Sequence, residues 1–163
     1  MKEKLSGKEM YVAILLLFIS TILLIAQVFE NLSPGSDAIR SENNALILNT
    51  NDILDTIHTY VLALLGFVGS IQLFRKKNTG WIFSTAMYAY YTGIAVYALI
   101  VLARDGQFDV GFTLVSIPAI LLLLATVFLF FKPTLQKFRV SKKTILPTLL
   151  IFMAILAVTF FKR

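Results

Sequence analysis

Residues 52–74 read DILDTIHTYVLALLGFVGSIQLF, and this stretch decides the fold. A helix needs about 20 mostly apolar residues to cross the roughly 30 Å of hydrocarbon in a bilayer. Asp52, Asp55 and His58 lie near the start of the stretch, and the three basic residues 75–77 follow its end. The pattern predicts a membrane-spanning helix with an acidic start and a basic end.

Four more runs of this kind occur along the chain. The five predicted spans cover residues 11–29, 53–74, 81–103, 112–131 and 144–161. Hydrophobic residues make up 58% of the 163 residues, which is more apolar surface than a soluble domain of this size can bury. We therefore expect an all-α, polytopic membrane bundle of about five helices with short loops, forming a single membrane domain over residues 1–163.

The first and last runs each have an alternative interpretation. A cleaved signal peptide also carries basic residues before an apolar region, but that region is normally about 7–15 residues long. The first run has 19 residues, so we expect a retained helix. The last run is the shortest, and a re-entrant or surface position for it would move the C-terminus to the other side.

The basic residues of the loops predict the orientation in the membrane. With the N-terminus in the cytoplasm, the inner side holds 11 basic residues and the outer side holds 4. Because cytoplasmic loops are enriched in lysine and arginine, this arrangement is favoured, with the C-terminus outside. Short loops and this bias indicate a bacterial inner membrane. The net charge of +6 then reflects orientation and headgroup contact, and we expect no nucleic-acid partner.

Asp55 and His58 are three residues apart, so they share a helix face and the acid can hold one imidazole nitrogen. Such pairs occur in metal and proton-transfer sites. The alternative is that Asp52 and Asp55 cap the helix start and His58 lies at the membrane interface. A metal needs more ligands, and no spacing brings Asp105 or Asp109 to this pair. We predict no metal or cofactor, and assign Asp55 and His58 to contact with a ligand or partner.

The third span contains the second candidate group. Ser84, Tyr88 and Tyr91 recur at i, i+4 and i+7, so they form one polar stripe, and hydroxyl groups need partners where there is no water. Tyr88 and Tyr91 are therefore candidate residues of a ligand cavity, a quinone site or a water path. The alternative is hydrogen bonding between packed helices. Trp81, at the start of the span, is expected to anchor the helix at the interface.

Pairs of small residues four apart let helix backbones approach each other. Gly66 and Ser70 form such a pair on the second span, and Ala89 and Gly93 form one on the third. We expect these pairs to dock the second span on the third.

The sequence has no cysteine, and it carries no phosphate-binding glycine loop, nucleophile elbow or zinc-protease motif. We predict no catalytic residue, and an enzyme is the least favoured class. The leading hypothesis is a small non-catalytic multi-pass subunit of a larger inner-membrane complex, in contact with lipid and other membrane subunits. The alternative is a protein that binds or transports a small molecule, lipid or quinone, with a polar pocket near the outer ends of spans two and three.

Overall fold

The computed structural model describes residues 5–32, 39–42, 45–48, 50–106 and 110–161. Within these ranges the elements in chain order are α1 (Gly7–Leu32), β1 (Ile39–Glu42), β2 (Ala45–Leu48), α2 (Thr50–Phe74), α3 (Asn78–Arg104), α4 (Val110–Leu129), α5 (Lys132–Lys137) and α6 (Lys142–Phe161). Five of the described helices, α1 to α4 and α6, are long and apolar enough to cross a membrane. The predicted all-α membrane bundle is confirmed.

The predicted spans match the helices closely. Four of them fall inside α1, α2, α3 and α6, and the fourth span overruns the end of α4 by two residues. Two short elements were not predicted. The basic loop contains α5, and the connection between α1 and α2 contains an antiparallel pair, β1 with β2, in which Ile39 lies opposite Leu48.

The first helix begins at a capping box. The amide of Ser6 donates to the Glu9 carboxylate at 2.7 Å, and the amide of Glu9 donates to the Ser6 hydroxyl at 3.4 Å. This reciprocal pairing satisfies two amides that a helix start otherwise leaves without partners. The motif fixes where α1 starts, ahead of its apolar run.

The turn between α2 and α3 closes with a Schellman motif. The amide of Lys77 donates to the carbonyl of Gln72 and the amide of Lys76 donates to that of Leu73, each at 2.9 Å. Lys76 takes the left-handed conformation with φ of 56°, and Arg139 does the same after α5 with φ of 51°. Glycine is the usual residue at this position, so both turns place a cation where a side chain is disfavoured.

The N-terminus of α1 meets the α5 segment at one end of the bundle. The Lys137 ammonium lies 2.7 Å from the Glu9 carboxylate, and Glu9 is buried. Because consecutive helices run in opposite directions, α2 ends where α1 begins, and the α2–α3 turn therefore lies at this same end. We call it the basic end, because its charged side chains are mostly cationic: Lys8, Arg75, Lys76, Lys77, Lys132, Lys137, Arg139, Lys142 and Lys143.

Trp81 also lies at the basic end, but it faces the protein interior. It is only 2% exposed, and its indole N–H donates to the Leu129 carbonyl at 2.9 Å. If the helix continued, the amide of residue 133 would donate to that carbonyl, but residue 133 is a proline and has no amide hydrogen. Trp81 therefore satisfies the last carbonyl of α4. Trp81 was expected to anchor α3 at the membrane interface, but it forms an internal contact between α3 and α4 instead.

The third helix is the centre of the bundle, packing against α2, α4 and α6, while α1 packs on α2 and α4. Its buried residues all fall between Gly80 and Tyr90. None of the residues of α3 from Tyr91 to Arg104 is buried. The half of α3 away from the basic end is therefore only partly covered by its neighbours.

The predicted pair Gly66 and Ser70 faces a different helix from the one expected. A side chain at Gly66 would collide with the Ser20 hydroxyl of α1. The Ser70 hydroxyl donates to the Ala13 carbonyl, also in α1, at 2.8 Å. This pair therefore docks α2 on α1, and the expectation that it meets the third span is wrong.

The contact between α2 and α3 uses Gly69 instead. A Cβ at Gly69 would lie 3.1 Å from the Ser84 hydroxyl of α3. Gly93, the other predicted contact, has no described atom within 4 Å of where its Cβ would be. The second and third spans do pack together, as predicted, but through residues that the spacing did not single out.

Candidate functional site

His58 lies where three helices meet. It is 8% exposed on α2, and its ring packs edge-to-face on the Tyr90 ring of α3 with the centroids 6.3 Å apart. Its Nε2 lies 3.4 Å from the Thr159 hydroxyl of α6. His58 is therefore held among side chains of the bundle, and α6 contributes one of its polar contacts through Thr159.

The Thr159 hydroxyl connects this group. It donates to the Ile155 carbonyl at 2.9 Å and lies 3.1 Å from the Tyr90 hydroxyl. A hydroxyl has one hydrogen and two lone pairs. When Thr159 gives its hydrogen to Ile155, the Tyr90 hydroxyl and the His58 N–H can both donate to its oxygen. The result is a small cluster of His58, Tyr90 and Thr159, here called the polar cluster.

Tyr88 serves a different contact. It is fully buried, and its hydroxyl donates to the Val12 carbonyl of α1 at 2.6 Å. The Tyr91 hydroxyl is buried without a hydrogen-bond partner among the described residues. The stripe of Ser84, Tyr88 and Tyr91 thus faces the interior as its spacing indicates. The residue that reaches His58 is Tyr90, which lies off that stripe.

Of the predicted acids, Asp55 is exposed on the first turns of α2, and its backbone carbonyl accepts a hydrogen bond from Thr59. The side chain of Asp52 and all of Asp109 lie outside the described residues. The described part of the chain contains no group of three histidine, cysteine, aspartate or glutamate side chains that could hold a metal ion.

The buried hydroxyl groups of Tyr88 and Tyr91 give the first testable prediction. Tyr88→Phe removes a hydrogen bond to α1, whereas Tyr91→Phe removes a buried hydroxyl without a described partner. We expect Tyr88→Phe to lower the free energy of unfolding by about 1 kcal/mol, since bonds between membrane helices average roughly 0.6 kcal/mol and reach about 1.7. Tyr91→Phe should leave stability unchanged or raise it. Denaturation in mixed detergent micelles measures both, and equal losses would contradict the assignment.

A groove of about 360 Å³ runs between α3 and α6 beside the polar cluster. Gly93 and Tyr97 line it on α3, and Phe152 and Leu156 line it on α6. Tyr90 and Thr159 also contribute to its wall, so the polar cluster forms part of an otherwise apolar surface. Its volume is at the lower end of the range for small-molecule sites, roughly 300–1,000 Å³.

Thr159 and Tyr90 are the site residues that the sequence reasoning missed. Thr159 carried a usable signal, because it is an isolated hydroxyl near the end of an apolar span and needs a partner there. Tyr90 is also a hydroxyl inside a span, but it does not share the spacing of the polar stripe and was therefore not singled out. Only the packing of α6 against α3 reveals it.

These features define a multi-pass helical membrane protein with a small polar cluster and an adjoining apolar groove. No protein-family model, curated protein or solved structure matches the chain.

Proposed function

We propose that this protein is a small non-catalytic multi-pass subunit of a larger assembly in a bacterial inner membrane. The observation that carries the proposal is how its intramembrane polar groups are used. Tyr88, Ser70 and Trp81 each donate to a backbone carbonyl of another helix. Side chains that bind helices together in this way are occupied in packing and are not presented to a substrate.

The exposed face of α4 supports a protein neighbour. Leu114, Ile117 and Leu124 lie on this face and are 65%, 56% and 41% exposed. Pro118 is exposed beside them and has no amide hydrogen to give to the Leu114 carbonyl. In a bilayer such freed carbonyls are satisfied by neighbouring helices, hydroxyl side chains, ordered waters or local adjustments of the helix. A lipid chain has no donor to offer, whereas a polar side chain of an adjoining subunit does.

The charge distribution supports an orientation with the basic end in the cytoplasm. The described cations of the basic end lie in the turns, in α5 and in the first turns of α1 and α6, next to the ends of the spans. This is the position in which lysine and arginine set membrane topology. The N-terminus is then cytoplasmic, and the C-terminus is outside.

Site-specific photocrosslinking in the native membrane tests the subunit proposal. A photoreactive phenylalanine analogue at Ile117 should crosslink to one other membrane protein in high yield. The same residue at Phe18, which is 61% exposed on α1, is the matched control and should crosslink mainly to lipid. Native mass spectrometry after gentle extraction should then show the same partner at fixed stoichiometry. Lipid adducts alone at both positions, with a lone chain in the mass spectrum, would overturn the proposal.

The second candidate function is binding of a lipid or quinone, and the groove beside the polar cluster favours it. The pocket was expected to be polar and to lie near the outer ends of spans two and three. The observed groove is mainly apolar and lies between spans three and five. It suits a molecule that is itself dissolved in the membrane.

A further inference from the structure

We propose that the groove between α3 and α6 binds a membrane quinone, meaning a flat, uncharged ring with carbonyl oxygens attached to an apolar tail. This inference develops the second candidate function and names its ligand class. Quinone binding requires no partner subunit, so its test is independent of the test of the proposed assembly.

The aromatic content of the groove favours a flat ring over a saturated chain. Four of its lining side chains are aromatic, two from α3 and two from α6: Tyr90, Tyr97, Phe152 and Phe160. Aromatic rings pair with other flat rings in stacked or edge-to-face arrangements, which adds to the gain from burial alone. A plain acyl chain gains nothing specific from such walls.

The polar cluster supplies the donors that a quinone carbonyl needs. Tyr90 and Thr159 both line the groove and their hydroxyls lie 3.1 Å apart, while the His58 Nε2 lies 3.4 Å from the Thr159 hydroxyl. Rotation of the Tyr90 hydroxyl from Thr159 toward the groove would present its hydrogen to a carbonyl oxygen. The Thr159 oxygen would keep the His58 contact, so the cluster would stay satisfied when the ligand binds.

Charge in the groove argues against a phospholipid headgroup. None of the residues that line it is charged, and recognition of phosphate normally uses arginine or lysine side chains or a helix N-terminus. A neutral ring avoids the cost of moving a charge into an apolar site.

The open side of the groove gives the tail a way out. Gly93 is exposed and has no described atom within 4 Å of its missing side chain, and Tyr97 and Phe160 at the rim are 59% and 67% exposed. The ring can therefore occupy the groove while the tail extends into the surrounding lipid. This explains how a volume of about 360 Å³ accommodates a long molecule.

The test uses the full-length protein in lipid nanodiscs and a benzoquinone with a ten-carbon tail as the probe. We expect saturable binding of one probe per chain by isothermal titration calorimetry. Gly93→Phe should abolish it, because Gly93 lines the groove and the new ring would occupy the space of the probe. Val96→Phe places the same ring on the same helix outside the groove, so it should bind the probe like the wild-type protein.

Two further measurements separate the possible outcomes. Tyr90→Phe keeps the aromatic ring but removes the hydroxyl that donates to the quinone carbonyl, so it should weaken binding by roughly threefold to tenfold, the effect of one hydrogen bond. Decylbenzene, which lacks carbonyl oxygens, should bind at least tenfold more weakly. Equal binding of both probes would overturn the quinone assignment and leave an apolar site. Absence of saturable quinone binding, or binding that survives in folded Gly93→Phe, would overturn the groove as a quinone site. If Gly93→Phe does not fold, Gly93→Leu takes its place.

Discussion

Gly80→Ala is expected to destabilise the bundle by at least about 3 kcal/mol, the upper part of the usual range for overpacking. A Cβ at Gly80 would collide with the backbone of Leu73 and Gln72 at the end of α2. Backbone atoms cannot rotate away as the tip of a long side chain can. The substitution must therefore push α3 away from α2 at the tight turn that joins them.

The matched control for this prediction is Gly93→Ala on the same helix. Both variants add one methyl group to α3, and alanine is favoured over glycine in a helix by about 1 kcal/mol. At Gly93 the methyl group meets no described atom within 4 Å, so stability should be unchanged or slightly higher. Thermal unfolding in detergent distinguishes the two variants, with the loss of the monodisperse peak in gel filtration as the measure of unfolding. Similar behaviour of both variants would contradict the close approach of α2 and α3 at Gly80.

Lys137→Met is expected to lower the free energy of unfolding by about 3–5 kcal/mol. Removal of one partner from a buried ion pair has an effect of this size in other proteins. The Glu9 side chain is 4% exposed, and Lys137 lies 2.7 Å from it. Without the lysine, a buried carboxylate keeps its capping-box contact with Ser6 but loses its described cation. The damage should be confined to the basic end, where α1 and α5 would separate.

Glu9→Gln provides the comparison that tests this reasoning. Glutamine can keep the capping box, and the Lys137 ammonium can extend to water or lipid headgroups on its flexible stem. We therefore expect Glu9→Gln to lower the free energy of unfolding by only about 1 kcal/mol. Adding Lys137→Met to this variant should lower it little further. Denaturant titrations of the two single variants and the double variant give the coupling free energy. Additive losses would show that the ion pair does not hold the two segments together.

Hydropathy and charge placed the five spans to within a few residues because both signals are local. Basic residues 75–77 follow the apolar run of α2, and the run stops where the lysine and arginine begin. The capping box Ser6–Glu9 was present in the sequence as a motif and could have given the start of α1. The ion pair could not have been predicted, since Glu9 and Lys137 are 128 residues apart.

The candidate site was harder to predict because it depends on the order of helices around the bundle. Spacing showed that Tyr88 points into the interior, but hydropathy does not specify which helix it meets. Its hydroxyl donates to the Val12 carbonyl of α1, and no local signal in the sequence pairs these two positions. In the same way, His58 was recognised as unusual, yet its neighbours Tyr90 and Thr159 follow from the position of α6. That position is set by side-chain packing between helices distant in sequence.

The left-handed residues Lys76 and Arg139 have a consequence for the biogenesis of the protein. A residue with a side chain is less stable than glycine in this conformation, by roughly 1–2 kcal/mol. At the opposite end of the bundle, after α3, the residue with positive φ is a glycine, Gly106. Under the proposed orientation, the two cations also help to retain their loops in the cytoplasm while the nascent chain inserts. Glycine at either position would make the finished fold more stable and the insertion of the chain less certain. Under the proposed orientation, the two turns therefore lower the stability of the finished fold and strengthen the charge signal that sets its topology.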